Sequence, residues 1–254
     1  MTTNTILPFA LELADAAGEI ARKYFGTPLD IECKSDDTPV TRADKEIEKT
    51  LRTIIETERP DDGILGEEFG TKETKNGLTW VIDPIDGTKS FTIGRPTFGT
   101  LIGLCRDETP ILGIIDQPIL NQRWVGQQRQ PTLYNGKPVT CCPCPELKQA
   151  IFGTGSPSQI SDSDKNRFTR IEQATRYPVF QGDCYFYGLM ANGFIDVIVE
   201  DQLGIYDFIA LVPIIEGAGG KITDWQGHPK TLHGDPTLLA CGDPALHSKM
   251  LDLL

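Results

Sequence analysis

A layered α/β sandwich is the fold class this sequence predicts, on three observations: helical apolar periodicity near the N-terminus, a block of short β-branched runs from Leu78 onward, and alternating strand and helix patterns after residue 145. Ile6, Ala10, Leu13, Ala17, Ile20 and Tyr24 recur at helical spacing, and Gly26 with Pro28 ends that helix. A second helix follows Thr41, where Thr41-x-x-Asp44 has the pattern of a capping box. Ile47, Leu51, Ile54 and Ile55 form its apolar face, and Pro60 stops it. LTWVID, TFGTLIGL, ILGIID and QRWVG are separated by Gly, Pro and Asp turns, which predicts a sheet meander. The Pro- and Cys-bearing segment 141–145 marks a candidate boundary between two subdomains, 1–145 and 146–254, of a single domain. Beyond it the patterns predict a strand over 150–153, a polar helix over 164–176 and an apolar helix over 183–192. The strand FIDVIVE, a helix over 207–218, the strands KITDW and TLLAC, and a closing helix from Pro244 complete the chain.

The 254 residues include 36 acidic and 24 basic side chains, a formal charge of −12. Nucleic-acid binding draws on a basic footprint, so this balance argues against a nucleic-acid partner. The N-terminal stretch lacks the apolar core of a signal peptide, and no apolar run reaches the roughly 18–20 residues of a membrane span. Seven cysteines, an odd number, fit a reducing compartment better than a disulfide framework. The expectation is a soluble cytoplasmic protein with no membrane partner.

Chemistry concentrates in three stretches: Gly66-Glu67-Glu68-Phe69-Gly70, Trp80-Val81-Ile82-Asp83-Pro84-Ile85-Asp86-Gly87-Thr88, and Tyr206-Asp207-Phe208-Ile209-Ala210. In the second, an apolar strand ends in two aspartates around Pro-Ile. Proline fixes φ and removes a donor, and Gly87 permits a tight turn, so both carboxylates and a main-chain carbonyl can face one point. That suits a hard divalent cation such as Mg²⁺, which prefers oxygen ligands in near-octahedral array. Taken singly, each stretch has a plainer reading. Asp207 could cap an apolar helix, and Glu67 and Glu68 could be an exposed turn.

GEEFG, WVIDPIDGTKSF and YDFIA, in that order, resemble the signature blocks of the inositol monophosphatase superfamily of Mg²⁺-dependent, lithium-sensitive phosphatases. The likeness extends from Lys34-x-Asp36 and Thr38-Pro39-Val40-Thr41-x-Ala43-Asp44 to Ile214-Ile215-Glu216-x-Ala218-Gly219-Gly220. It implies an αβαβα fold, a homodimer, and hydrolysis of a small-molecule phosphate ester with two to three Mg²⁺ ions, or Mn²⁺ in their place. By position, Glu67, Asp83 and the Ile85 carbonyl would hold one ion, and Asp83, Asp86 and Asp207 a second. Thr88 and Asp44 would orient and deprotonate the attacking water, and Gly87 and Thr88 would offer N–H groups to the phosphate. Glu67 would also border a looser third ion.

Tyr206 stands where many members carry Trp, a departure shared with the histidinol-phosphate phosphatase branch. Gln181-Gly182-Asp183-Cys184-Tyr185-x-Tyr187, Glu200 seven positions before Asp207, and YDFIALVPIIEGAGG also resemble that branch more than inositol phosphatases. Inositol enzymes place small neutral residues where Asp183 stands. A carboxylate there suits a cationic leaving alcohol, and histidinol carries an ammonium and an imidazole. The alternative for Asp183 is a cap on the helix from Cys184, and for Glu200 a solvated strand end. Ser156 lies where members contact substrate from a loop.

Other motifs read as structural. Cys141-Cys142-Pro143-Cys144 contains a C-x-x-C without a second ligand pair, which predicts free thiols. His228, His233 and His247 lie away from the acidic blocks. Gly219-Gly220 reads as a helix C-cap and Trp80 as core.

Overall fold

The computed structural model describes residues 6–28, 31–33, 39–156 and 164–254. Helices α1 (Ile6–Tyr24) and α2 (Arg42–Glu58) form where their apolar spacing puts them, with the short antiparallel strands β1 (Ile31–Cys33) and β2 (Pro39–Thr41) between. The capping box is present: the Thr41 hydroxyl accepts from the Ala43 N–H at 3.1 Å, and Asp44 Oδ2 accepts from the Thr41 N–H at 2.9 Å. The Lys34–Asp36 stretch and Thr38 lie outside the described residues.

An eight-stranded sheet follows. It comprises β3 (Gly63–Gly66), β4 (Gly70–Lys72), β5 (Leu78–Asp86), β6 (Gly99–Arg106), β7 (Thr109–Gln117), β8 (Gln122–Gln127), β9 (Leu133–Tyr134) and β10 (Lys137–Pro138). Their order is β10-β9-β8-β7-β6-β5-β3-β4, antiparallel except for the β3–β5 pair. A one-turn helix, α3 (Thr88–Thr92), leaves the end of β5. The second sheet, β12-β11-β13-β15-β14, is mixed and holds β11 (Ile151–Thr154), β12 (Tyr177–Phe180), β13 (Val197–Glu200), β14 (Lys221–Thr223) and β15 (Leu238–Cys241). Helices α4 (Lys165–Ala174), α5 (Tyr185–Ala191), α6 (Ile205–Phe208), α7 (Leu211–Gly217) and α8 (Pro244–Leu251) complete the described chain.

The period-two alternation of the strands separates the layers. Trp80, Ile82, Ile102, Leu104 and Ile114 face α1 and α2 through Leu13, Ala17, Ile47, Leu51 and Ile55. Val81, Leu101, Ile115 and Trp124 face the opposite way, onto Tyr187, Met190, Leu211 and Ile214, which also meet Ile198 and Ala240 of the second sheet. The far side of that sheet packs Phe152, Val197, Val199 and Leu239 on Phe168, Ile171, Leu246 and Met250. The result is the expected αβαβα order. None of its helices, among the described residues, is long and apolar enough to cross a membrane.

The sequence expectation of one helix over 207–218 is corrected. α6 ends at Phe208 and α7 begins at Leu211, because Pro213 has no N–H for the Ile209 carbonyl and interrupts the ladder between them. The bend is seated on a row of glycines. Gly103, Gly113 and Gly126 are cross-strand partners on β6, β7 and β8. A Cβ on Gly113 would lie 1.8 Å from the Ala210 carbonyl oxygen, and one on Gly126 2.3 Å from the Ile214 nitrogen. The bend therefore rests directly on sheet backbone, which fixes where Asp207 points.

Candidate active site

The carboxylates gather where β5 stops being a regular strand. Its pairing with β6 shifts register between Asp83 and Asp86, since Pro84 offers no ladder donor, and the Thr100 hydroxyl secures the irregularity by donating to the Pro84 carbonyl at 2.8 Å. Gly87 then takes φ +83°, and a Cβ there would sit 2.5 Å from Asp183 Cγ. Glycine is required for both the backbone conformation and the space.

Asp83, Asp86 and Asp207 each offer an oxygen, and these oxygens lie within 4.8 Å of one another. Asp207 reaches this point from α6, with Oδ2 accepting the Gly204 N–H at 2.7 Å. The N-cap of α6 is Gly204, so Asp207 is not the cap of the plainer reading but the third helical residue, and it is a member of the cluster. Asp83 is 2% exposed, and its Oδ1 is buried with no hydrogen-bond partner. Burial, then the fields of Glu67, Asp86, Asp207 and Asp44, hold the Asp83 carboxyl well above the usual range. Burial and the neighbouring Asp183 and Asp207 do the same to Asp86. An orphaned oxygen among crowded hard-oxygen donors fits a divalent cation of the Mg²⁺ or Mn²⁺ type. Glu67 stands outside the three-carboxylate group but close enough to raise both Asp83 and Asp44.

Glu67 depends on a residue the sequence reading overlooked. Glu48, wholly buried on α2, accepts the Glu68 N–H at 2.7 Å and the Phe69 N–H at 3.1 Å while paired with Arg52 at 2.8 Å. A Cβ on Gly66 would stand 2.0 Å from Glu48 Oε1, which explains the first glycine of GEEFG. The available signal was a glutamate on the apolar side of a helix, one position after Ile47.

On the other side of Asp83, the Thr88 hydroxyl lies 3.3 Å from Asp44 Oδ1 and 3.1 Å from the Ile85 carbonyl. That carbonyl, expected as a cation ligand, keeps a second lone pair beyond the Thr88 contact. Asp44 Oδ2 is held by Thr41, leaving Oδ1 to Thr88. Burial raises the Asp44 carboxyl, against the Thr41 hydrogen bonds that lower it.

Asp183 does not cap α5 with its side chain. At φ +48° it turns its carboxylate towards α3, where Ser90 and Thr97 (2.9 Å) donate to Oδ2 and Arg95 lies 3.7 Å away. Cys184, the next residue, donates its N–H to Asp86, which ties this loop to the carboxylate cluster. Glu200, at the end of β13, accepts the Tyr187 hydroxyl at 2.6 Å. Burial, with the fields of Asp207 and Asp183, pushes it up to about 7. Gly155 lies against Glu200, and Ser156 is the last described residue before 164.

The remaining motifs stay apart. Cys141, Cys142 and Cys144 are free thiols, and burial raises Cys141 and Cys144 to about 11. His228 pairs with Asp224, His233 lies 3.6 Å from Glu108, and His247 meets the Thr223 hydroxyl. Trp80 is core, its indole N–H on Asp62, and Gly219 at φ +90° closes α7.

Three kinds of comparison bear on this geometry. The model of the inositol monophosphatase family matches residues 3–254. A chloroplastic bifunctional phosphatase, IMPL2, of Arabidopsis thaliana is 44% identical over 251 residues, 95% of this chain and 72% of that one. A histidinol-phosphatase of Chlorobaculum parvum is 35% identical over 241 residues, covering 90% and 89%. Among solved structures, an inositol monophosphatase from Zymomonas mobilis superposes with a TM-score of 0.91 at 43% identity, covering 100% and 98%.

Proposed function

As the chain belongs to the inositol monophosphatase family of metal-dependent phosphatases, we propose that it hydrolyses L-histidinol phosphate to L-histidinol and phosphate. The observation that carries this reading is Asp183. Its carboxylate is fixed against Gly87 and beside Asp86, and Glu200 is close enough to feel its field. Two acids next to a phosphate site suit an alcohol bearing positive charge and disfavour a neutral polyol.

In this proposal Asp83, Asp86 and Asp207 hold Mg²⁺, with Glu67 and the Ile85 carbonyl completing a site for two to three ions. When bound, Mg²⁺ acidifies the attacking water and neutralises charge on the phosphoryl oxygens. Gly87 and Thr88 cradle the phosphate with backbone N–H groups. The Thr88 hydroxyl receives a hydrogen bond from the water while donating to Asp44 Oδ1, which takes the proton. Burial, by raising the Asp44 carboxyl, makes it a stronger base than a solvated aspartate. Asp183 and Glu200 bind the cationic end of the leaving alcohol. A homodimer in the cytoplasm belongs to the same proposal, and sedimentation equilibrium tests the dimer.

A second reading, inositol-1-phosphate hydrolysis, is favoured by the 43% identity to the Zymomonas mobilis enzyme. Purified protein with Mg²⁺ and a panel of phosphate esters separates the two. The expected outcome is a kcat/KM for histidinol phosphate at least tenfold above that for myo-inositol 1-phosphate. The reverse order removes the histidinol proposal and leaves the phosphatase assignment standing.

A further inference from the structure

Lys230 is a buried cation outside the carboxylate cluster, only 2% exposed. Its ammonium donates to the backbone carbonyls of Asp235 and Thr237 (2.7 Å for the latter) and lies 3.9 Å from the centre of the Phe208 ring. Among the described residues no carboxylate lies within ion-pair distance of it. A charge taken out of water without a direct ion pair is costly, and burial lowers its pKa to about 8 against the fields of Asp235 and Asp224, which raise it. Core packing does not account for such a side chain, since methionine would fill similar space without that cost.

What Lys230 joins is specific. The two carbonyls belong to the strap 230–237, and Pro236 in that strap accepts the Leu203 N–H at 2.9 Å. Leu203 precedes Gly204, whose N–H holds Asp207 Oδ2. Phe208 follows Asp207 directly, and a Cβ on Gly234 would lie 3.3 Å from its ring. The ammonium therefore clamps the strap on one side and the α6 ring on the other, with the Asp207 turn between them.

We propose that Lys230 is a positioning residue for the cation site: by bridging the strap 230–237 to Phe208 it fixes the α6 turn that aims Asp207 at Asp83 and Asp86. This inference rests on Asp207 being a cation ligand, as in the function proposed above. The test is Mn²⁺ binding to the full-length protein without substrate, read by electron paramagnetic resonance of free Mn²⁺, for the parent, Lys230→Met, Phe208→Leu and Asp83→Asn.

Lys230→Met should raise the Mn²⁺ dissociation constant by about tenfold, the scale of a lost supporting contact behind a ligand. The Mg²⁺ concentration for half-maximal phosphatase activity should rise in parallel, while KM for the ester at saturating Mg²⁺ stays unchanged. Phe208→Leu should shift the same constants in the same direction, and it decides the matter if Lys230→Met does not fold. Parental Mn²⁺ affinity in the folded variants, with thermal stability alone reduced, overturns the proposal. Parental affinity in Asp83→Asn instead refutes the cation site itself, so the two failures are distinguishable.

Discussion

A carboxylate oxygen sealed from water with no donor is costly unless the acid stays protonated or something else supplies positive charge, and Asp83 Oδ1 is in that situation. Asp83→Asn separates the two sides of this bargain. Divalent-cation binding should weaken and turnover should fall by about a hundred- to a thousandfold, the range for a group acting on charge developed in the transition state. The cation-free variant should nonetheless be more stable than the parent at pH 8, because burial and the neighbouring carboxylates hold the Asp83 proton and the folded protein must give it up to ionise. Urea denaturation in chelator measures the second effect. Asp183 stands out in the sequence by its charge, and the structure adds its neighbours: two hydroxyl donors and the Arg95 guanidinium already steady one oxygen. Asp183→Ala should lower kcat/KM for histidinol phosphate about 10- to 100-fold, the value of a charged hydrogen bond, and leave myo-inositol 1-phosphate nearly unaffected. Equal losses on both esters would make Asp183 a structural tie between α3 and the 181–185 loop.

At the scale of elements, the cluster depends on how helices and turns are seated. Glu48 holds the turn bearing Glu67 through two backbone N–H groups, so Glu48→Gln leaves one N–H facing an amide donor and Arg52 without its partner. Breaking a buried pair in this way should cost about 3 kcal/mol in urea denaturation and weaken Mn²⁺ binding about tenfold. The glycine row makes a different demand. Gly113→Ala drives a methyl into the Ala210 carbonyl, and the α6–α7 bend must lift from the sheet. The expected loss is about 1–3 kcal/mol, or several degrees in thermal melting, together with weaker cation binding because Asp207 moves with the bend. Periodicity and capping chemistry made α1, α2 and the β5–β8 meander legible, since those signals lie within each segment. The β12 strand and the role of Glu48 were not legible, because each is decided by what packs against it, the parallel edge of β11 and a turn about twenty residues away, whereas the α6–α7 break was written locally in Pro213.

Over the whole molecule, the raised acids set how stability varies with pH. Asp44, Asp83, Asp86 and Glu200 all hold their protons to higher pH in the folded chain than they would unfolded. As pH rises above the ordinary carboxylate range, the unfolded chain releases these protons first, so the cation-free protein loses stability from about pH 4.5 up through pH 7, where Glu200 titrates. Thermal melting in chelator should fall steadily between pH 5 and 8, and Mg²⁺ should raise the melting temperature more at pH 8 than at pH 5. A flat profile in chelator would mean that the carboxylates are not buried together. The formal charge of −12 adds to the same trend through self-repulsion. Composition made the acidity legible; only the fold shows that part of it is stored in one place.

Helix α2 carries Asp44 in its first turn and Glu48 four residues on, one serving the hydroxyl of Thr88 and the other the turn of Glu67. Four residues of α-helix advance about 6 Å and return to nearly the same face. The helix is thus a ruler that sets the spacing between the carboxylate meeting Thr88 and the one holding the turn of Glu67. Substitutions at the intervening surface positions leave that measure intact, whereas one residue inserted or deleted between 44 and 48 turns one group about 100° away from the other. Besides Asp44, Ile47 and Glu48 themselves, length is what this short stretch has to keep.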